Sequence, residues 1–259
     1  MKGESRLSMG EAYLKIAFRQ PGCPICRLKQ EVMDRYIFSL LWENVNDVNT
    51  RIHLVRSLGF CSEHTWQLYH TEINRFGSGL GISIIYEDLT RYVMVGLRDY
   101  EARLPSNAPN RPRWWQRVWT RLRAVLGRSR PIARPGGILP VEPCRVCVHG
   151  ADSEARYMHW LIEGCTDAAF RGWYAASDGL CLPHLRLVLE QAAQTESDVA
   201  RFLTDTAAVK LEALATDLAE YARKHAWQYR HEPKLDAEQT SPLRASRFFS
   251  GSNEESGTR

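Results

Sequence analysis

Apolar residues recur along most of this chain at intervals of three and four. Leu28, Val32, Tyr36, Ile37, Leu40 and Leu41 form one such series, too long for a strand and spaced to line one face of a helix. The stretches GISIIYEDLTRYVMVGLRDYEARL and SDVARFLTDTAAVKLEALATDLAEYARKH each read as a long helix, the second most strongly because of its alanine, leucine and acidic residues. Gly59 and Gly179 stand where a glycine ends a helix in the left-handed conformation, and a new helix is expected from Ser62 and from Leu182. No convincing alternation marks a strand. The pattern predicts an all-α fold.

The same signals occur twice. Cys23 and Cys26 are followed by Cys61 and His64, and Cys144 and Cys147 by Cys181 and His184, with 34 and 33 residues between the paired elements. Arg35-Tyr36 and Arg156-Tyr157 fall at one offset after each CxxC, and RDYEARL and AEYARKH close the two copies. The chain therefore reads as two tandem helical repeats of about four helices each, over residues 12–104 and 144–232. Residues 105–143 form a linker rich in proline, arginine and tryptophan. The first dozen residues read as a polar lead-in, and 233–259, polar and poor in aliphatic residues, as a disordered tail.

The longest apolar runs, such as YIFSLLW, are far shorter than the roughly 20 residues of a membrane span, and the N-terminus has no signal-peptide core. The expectation is a cytoplasmic protein, where seven cysteines point to metal or redox chemistry before disulfides. Zinc takes four soft or borderline ligands in a tetrahedron, and a CxxC turn sets two sulfurs to share one ion. A CxxH at a helix start supplies the other pair. The expected sites are Cys23, Cys26, Cys61 and His64 in the first repeat and Cys144, Cys147, Cys181 and His184 in the second, each Cys3His quartet clamping its own repeat. A small structural zinc site contributes roughly 10–16 kcal/mol of apparent binding free energy, comparable to a domain's whole stability. Four protein ligands close the coordination shell, which disfavours catalysis at the metal. An iron-sulfur cluster is not excluded by a Cys3His set. A thioredoxin-type use of CxxC lacks its strand-then-helix setting.

Other chemistry-bearing residues have plainer readings. His149 and His70 have no counterpart in the first or second copy respectively and read as surface residues; Cys165 reads as a small buried one. The glycines at 77, 79 and 81 do not make GxGxxG and no GK[ST] follows, so FGSGLGIS is a bend that lets helices approach closely and not a phosphate loop. Glu43, Asp47, Glu87 and Asp88 read as solvated helix faces or caps.

The segments GCPICRL, YIFSLLWENVND, RSLGFCSEH and FGSGLGISIIYEDL resemble a family of uncharacterised bacterial and archaeal proteins, a domain-of-unknown-function group with CPxC, GFCxxH and a later CxxC with CxxH. The likeness covers residues 12–104 closely and 140–225 more loosely. It carries no established activity. Cys23, Cys26, Cys61 and His64 map onto the motif directly. Cys144, Cys147, Cys181 and His184 match in type, although no proline follows Cys144 and Leu180 replaces phenylalanine.

Charge singles out one segment. The net charge is +4, yet residues 111–134 hold eight arginines and no acid, leaving −4 on the rest. On a helix, Trp114, Trp115, Val118, Trp119, Leu122, Val125 and Leu126 fill an arc of roughly 140° and Arg113, Arg117, Arg121 and Arg128 lie opposite. Arg113, Trp114, Trp115, Arg117, Trp119 and Arg121 are the candidate partner-binding residues, for an anionic membrane surface, a protein partner or the protein's own repeats, with nucleic acid a weaker candidate. The functional expectation is a non-catalytic, zinc-binding adaptor or binding module, cytoplasmic or peripheral at the membrane. A nucleic-acid-binding regulator and a thiol-redox or iron-sulfur protein are the alternatives.

Overall fold

The structure, a computed structural model, describes residues 8–104 and 138–251. Among the described residues there are ten α-helices and no strand. They are α1 (Met9–Ala17), α2 (Pro24–Ser39), α3 (Val48–Ser57), α4 (Ser62–Phe76), α5 (Leu80–Arg103), α6 (Arg145–Gly164), α7 (Ala168–Ala176), α8 (Leu182–Thr195), α9 (Ser197–Arg223) and α10 (Asp236–Ser250). One π turn, Leu40–Asn44, continues α2. The chain divides into two compact units, one made of Met1–Ser39 with Val146–Arg259 and the other of Leu40–Arg145. Four helices, α2–α5, follow the first CxxC and four, α6–α9, follow the second within the expected bounds, but the units do not coincide with the two expected repeats.

In the first unit α2 and α6 pack against each other. Lys29 Nζ lies 2.9 Å from Glu154 Oε2, and a Cβ on Gly150 would come within 2.8 Å of Met33 Sδ. The Tyr36 and His149 rings stack 4.5 Å apart. Residue numbers rise on one helix as they fall on the other, so the pair is antiparallel. His149 is thus half-buried, where the sequence suggested a surface residue. Around this pair sits an apolar core that includes Leu14, Ile25, Leu161, Phe170, Tyr174, Val188 and Leu203. Phe18 meets Phe170 and Tyr174 edge-on at 5.3 and 5.8 Å, the arrangement aromatic quadrupoles favour. Cys165 is fully buried in this core, where burial pushes its thiol up to about 12.

Two expectations fail here. The described end of the polar lead-in, from Met9, belongs to α1, started by a capping box in which Ser8 and Glu11 satisfy each other's backbone N–H groups. Gly10 carries no Cβ that would overlap the Trp160 indole, so α1 seats directly on α6. The tail expected to be disordered contains α10. Its polar sequence is held by specific pairs rather than by apolar area: Lys224 Nζ bonds both oxygens of Glu238 at 2.6 and 2.8 Å, and Arg244 reaches Asp217 at 2.6 Å.

In the second unit α3 ends with Leu58 and Gly59 both at positive φ, 52° and 89°. The Gly59 N–H returns to Leu54 O and the Leu58 N–H to Val55 O, the bonding of a Schellman motif. Gly179 also has positive φ, but it lies in the loop after α7, whose cap is the extended Ser177. The glycine-rich bend behaves as expected. Gly77 ends α4 at φ 67°, and the buried Glu72 carboxylate accepts from Gly81 N at 2.6 Å and Ile82 N at 2.8 Å, capping α5. Asp47 caps α3, Asp88 pairs with Arg51 and Glu87 with Arg91. The end of the linker is anchored as well: the Val141 N–H donates to Arg56 O, and Glu142 meets His53 and Arg56 at 2.8 Å each.

Candidate metal centres

All eight expected ligands gather, but in a crossed pairing. Cys23 and Cys26 join Cys181 and His184, while Cys61 and His64 join Cys144 and Cys147; within each group the ligand atoms lie within 4.8 Å of one another. The expectation that each quartet would close inside its own repeat is therefore corrected. Every site takes its CxxC from one of the two expected repeats and its CxxH from the other. The antiparallel α2/α6 pair supplies the physical reason. It carries Cys26 toward the C-terminal half of α6, from which α7 and α8 return with Cys181 and His184.

Local geometry follows from helix starts. Cys61 and Cys181 are the N-cap residues of α4 and α8, and Cys23 and Cys144 immediately precede α2 and α6. The partner in each motif, His64, His184, Cys26 or Cys147, is the third helical residue. N-cap and third-residue side chains face each other in a capping box, and here the same geometry brings Cys61 Sγ to 3.0 Å from His64 Nδ1 and Cys181 Sγ to 3.1 Å from His184 Nδ1. Each site thus joins two helix N-termini, whose partial positive charge stabilises thiolate. Pro24 and Pro183, in the first turns of α2 and α8, suit positions that have no intrahelical N–H bond to lose.

Distances test what such a group can hold. Tetrahedral bonds of about 2.3 Å to sulfur and 2.0–2.1 Å to nitrogen put sulfur pairs about 3.8 Å apart and sulfur–nitrogen pairs about 3.5 Å apart. In the first site Cys26 Sγ and Cys181 Sγ are 3.7 Å apart, and His184 Nδ1 is 3.4 Å from Cys23 Sγ and 3.3 Å from Cys26 Sγ. In the second, Cys144 Sγ is 3.7 Å from His64 Nδ1. No disulfide links these cysteines. The donor set and its spacing fit one four-coordinate metal ion per site.

The surroundings differ. In the first site His184 Nε2 contacts Glu154 Oε1 at 2.6 Å, and Lys29 holds the other oxygen. This carboxylate–histidine pair fixes which ring nitrogen faces the sulfurs. Burial alone would lower His184, but Cys181, Cys26 and Glu154 outweigh it and raise the metal-free imidazole to about 11. The Cys181 and Cys23 contacts hold Cys26 well below the ordinary thiol range against its burial, while burial foremost raises Cys23. The cluster shares protons that a metal would displace. Glu154 was missed from sequence because nothing in its spacing separates it from a solvated helical glutamate. At the offset after CxxC where the second copy has Glu154, the first has Met33, and where the first has Lys29 the second has Gly150. Burial differs too: Cys23, Cys181 and His184 are buried, whereas Cys61 and Cys144 are half-buried and Cys147 is exposed.

A family model described as a family of unknown function, DUF6062, matches residues 11–256. The chain belongs to that family. A curated relative, an uncharacterised 23.9 kDa protein in the xynA 3′ region of Caldicellulosiruptor sp. (strain Rt8B.4), is 36% identical over 74 residues, covering 29% of this chain and 34% of the relative. The chain thus matches only about a third of that protein's length. No solved structure matches. No described helix is long and apolar enough to cross a membrane. The candidate partner-binding residues Arg113, Trp114, Trp115, Arg117, Trp119 and Arg121 lie outside the described residues.

Proposed function

We propose that this protein is a non-catalytic binding module whose helices are locked by two structural zinc ions. The observation that carries this reading is the crossed pairing of two complete Cys3His quartets. Each has three sulfurs and an imidazole within 4.8 Å of one another, close to tetrahedral spacing in the first site, a set that suits zinc and leaves no open position for water or substrate. Joining CxxC of one copy to CxxH of the other makes the ions cross-links between sequence-distant segments, so their loss removes folding free energy from the whole chain. The reading includes a duplication in which the copies exchanged partners. The Lys29–Glu154 and Met33–Gly150 contacts support it, since each is the other with the two copies interchanged.

The Arg/Trp segment 111–134 is assigned to an anionic surface, on the strength of its eight arginines and its tryptophan stripe. Elemental analysis and native mass spectrometry of untagged protein test the metal reading, with two zinc ions per chain expected. Iron with acid-labile sulfide and visible absorption would replace it with a cluster. Co-sedimentation with phosphatidylglycerol-containing and pure phosphatidylcholine vesicles tests the segment. Binding that needs the anionic lipid and residues 111–134 is expected, and equal binding without them would refute the assignment. Salt-dependent retention of nucleic acid through the same residues would favour the regulator instead.

A further inference from the structure

Beside the first metal site lies a cavity of about 240 Å³ in the first unit. Cys23 and Cys181 form part of its lining, Tyr174, Leu211, Leu214 and Phe248 make its walls apolar, and α9 and α10 close its sides. Four charged side chains also line it, Asp178, Lys210, Arg244 and Arg247. Three have protein partners. Asp178 Oδ2 accepts from Gly22 N at 2.7 Å, Lys210 Nζ donates to the carbonyls of Ala175 and Ser177, and Arg244 Nη2 donates to Asp217 and the Ala237 carbonyl. One guanidinium remains: Arg247 makes no side-chain hydrogen bond or ion pair with the described residues.

Arg244 and Arg247 stand three residues apart on α10 and so share a face of that helix. An unengaged guanidinium fork on Arg247, with the Arg244 cation beside it, over an apolar chamber is the recognition element for a carboxylate with a hydrophobic body. At about 30 Å³ per water-sized group the volume corresponds to roughly eight such groups, the scale of a small aromatic acid. We infer that this cavity is a binding site for a small carboxylate with an apolar or aromatic body, its charge held by Arg247 and its body lying among Leu211, Leu214 and Phe248. The inference rests on the cavity and not on the identity of the ions.

The test is calorimetric and NMR titration of the full chain as purified, with metal content measured on the same sample. Phenylacetate is the probe and phenylacetamide, its neutral isostere, the control. Saturable phenylacetate binding is expected, at least tenfold tighter than that of the amide and weakened tenfold or more by Arg247→Ala. Arg247→Lys should retain part of it. Ala207→Leu narrows the chamber while leaving both arginines, and should weaken binding of either probe even if Arg247→Ala folds poorly. Absence of saturation at millimolar phenylacetate, equal affinity for the amide, or unchanged affinity in both Arg247→Ala and Ala207→Leu overturns the inference. Because metal content is read independently, a chain with two zinc ions and no binding refutes the cavity site alone.

Discussion

Replacing Cys181 with serine separates the crossed pairing from closure within repeats. Cys181 caps α8 without a side-chain hydrogen bond, and serine is among the best N-cap residues, worth about 0.5–2 kcal/mol over a non-capping one. The helix start is therefore preserved or improved, and what is lost is one sulfur that stands 3.7 Å from Cys26 Sγ and 3.1 Å from His184 Nδ1. Sharing roughly 10–16 kcal/mol of zinc binding among four ligands assigns about 2.5–4 kcal/mol to each, or roughly 60- to 700-fold in affinity. Chelator competition should then show one weakened ion and one unchanged. Timed alkylation with peptide mapping locates the released ligands: Cys23 and Cys26 should become reactive in Cys181→Ser, while Cys61, Cys144 and Cys147 keep their wild-type rates. Reactivity appearing at Cys144 and Cys147 instead, with Cys23 and Cys26 protected, would refute the crossed arrangement and restore pairing within each copy.

Further outcomes follow from neighbouring contacts. Glu154→Gln should weaken the first ion by about 10- to 100-fold, the usual cost of losing a carboxylate behind a ligating histidine, and leave the second unchanged in the same chelator competition. His184, with Lys29, lowers Glu154 below its ordinary 4.5. Its stabilisation is therefore fully present above that value and is lost as pH falls through the lower folded value, so acid unfolding of Glu154→Gln should lose that part of its pH dependence. Gly251 has φ 85° and ψ 173°, a region essentially confined to glycine, and an added Cβ would stand 3.2 Å from Cys26 Sγ. Gly251→Ala should cost about 1–3 kcal/mol in denaturant unfolding and speed metal loss from the first site only. Lys224 and Glu238 are 10% and 5% exposed, so Lys224→Met should destabilise by about 3–5 kcal/mol, and the double replacement Lys224→Met, Glu238→Leu should recover much of that.

The helices, the CxxC and CxxH half-sites and the glycine bend were legible in the sequence because each depends on local rules. Three- and four-residue periodicity defines a helix face, and an N-cap with its third residue brings two side chains together whatever lies beyond. The pairing of half-sites was not legible, since CxxC followed by CxxH some 34 residues later has the same spacing whether the two meet or each meets a partner in the other copy. That choice belongs to the antiparallel packing of α2 on α6, through Lys29 with Glu154 and Met33 with Gly150. The tail was misjudged for a related reason. Composition weighs apolar content, whereas α10 is held by a buried Lys224–Glu238 pair and by Arg244 with Asp217, contacts whose existence depends on where α9 lies. Local propensity set the pieces and the chemistry they carry; tertiary packing decided which pieces come together into one Cys3His group, because such a group is closed by distance in space and the chain's spacing constrains that distance only weakly.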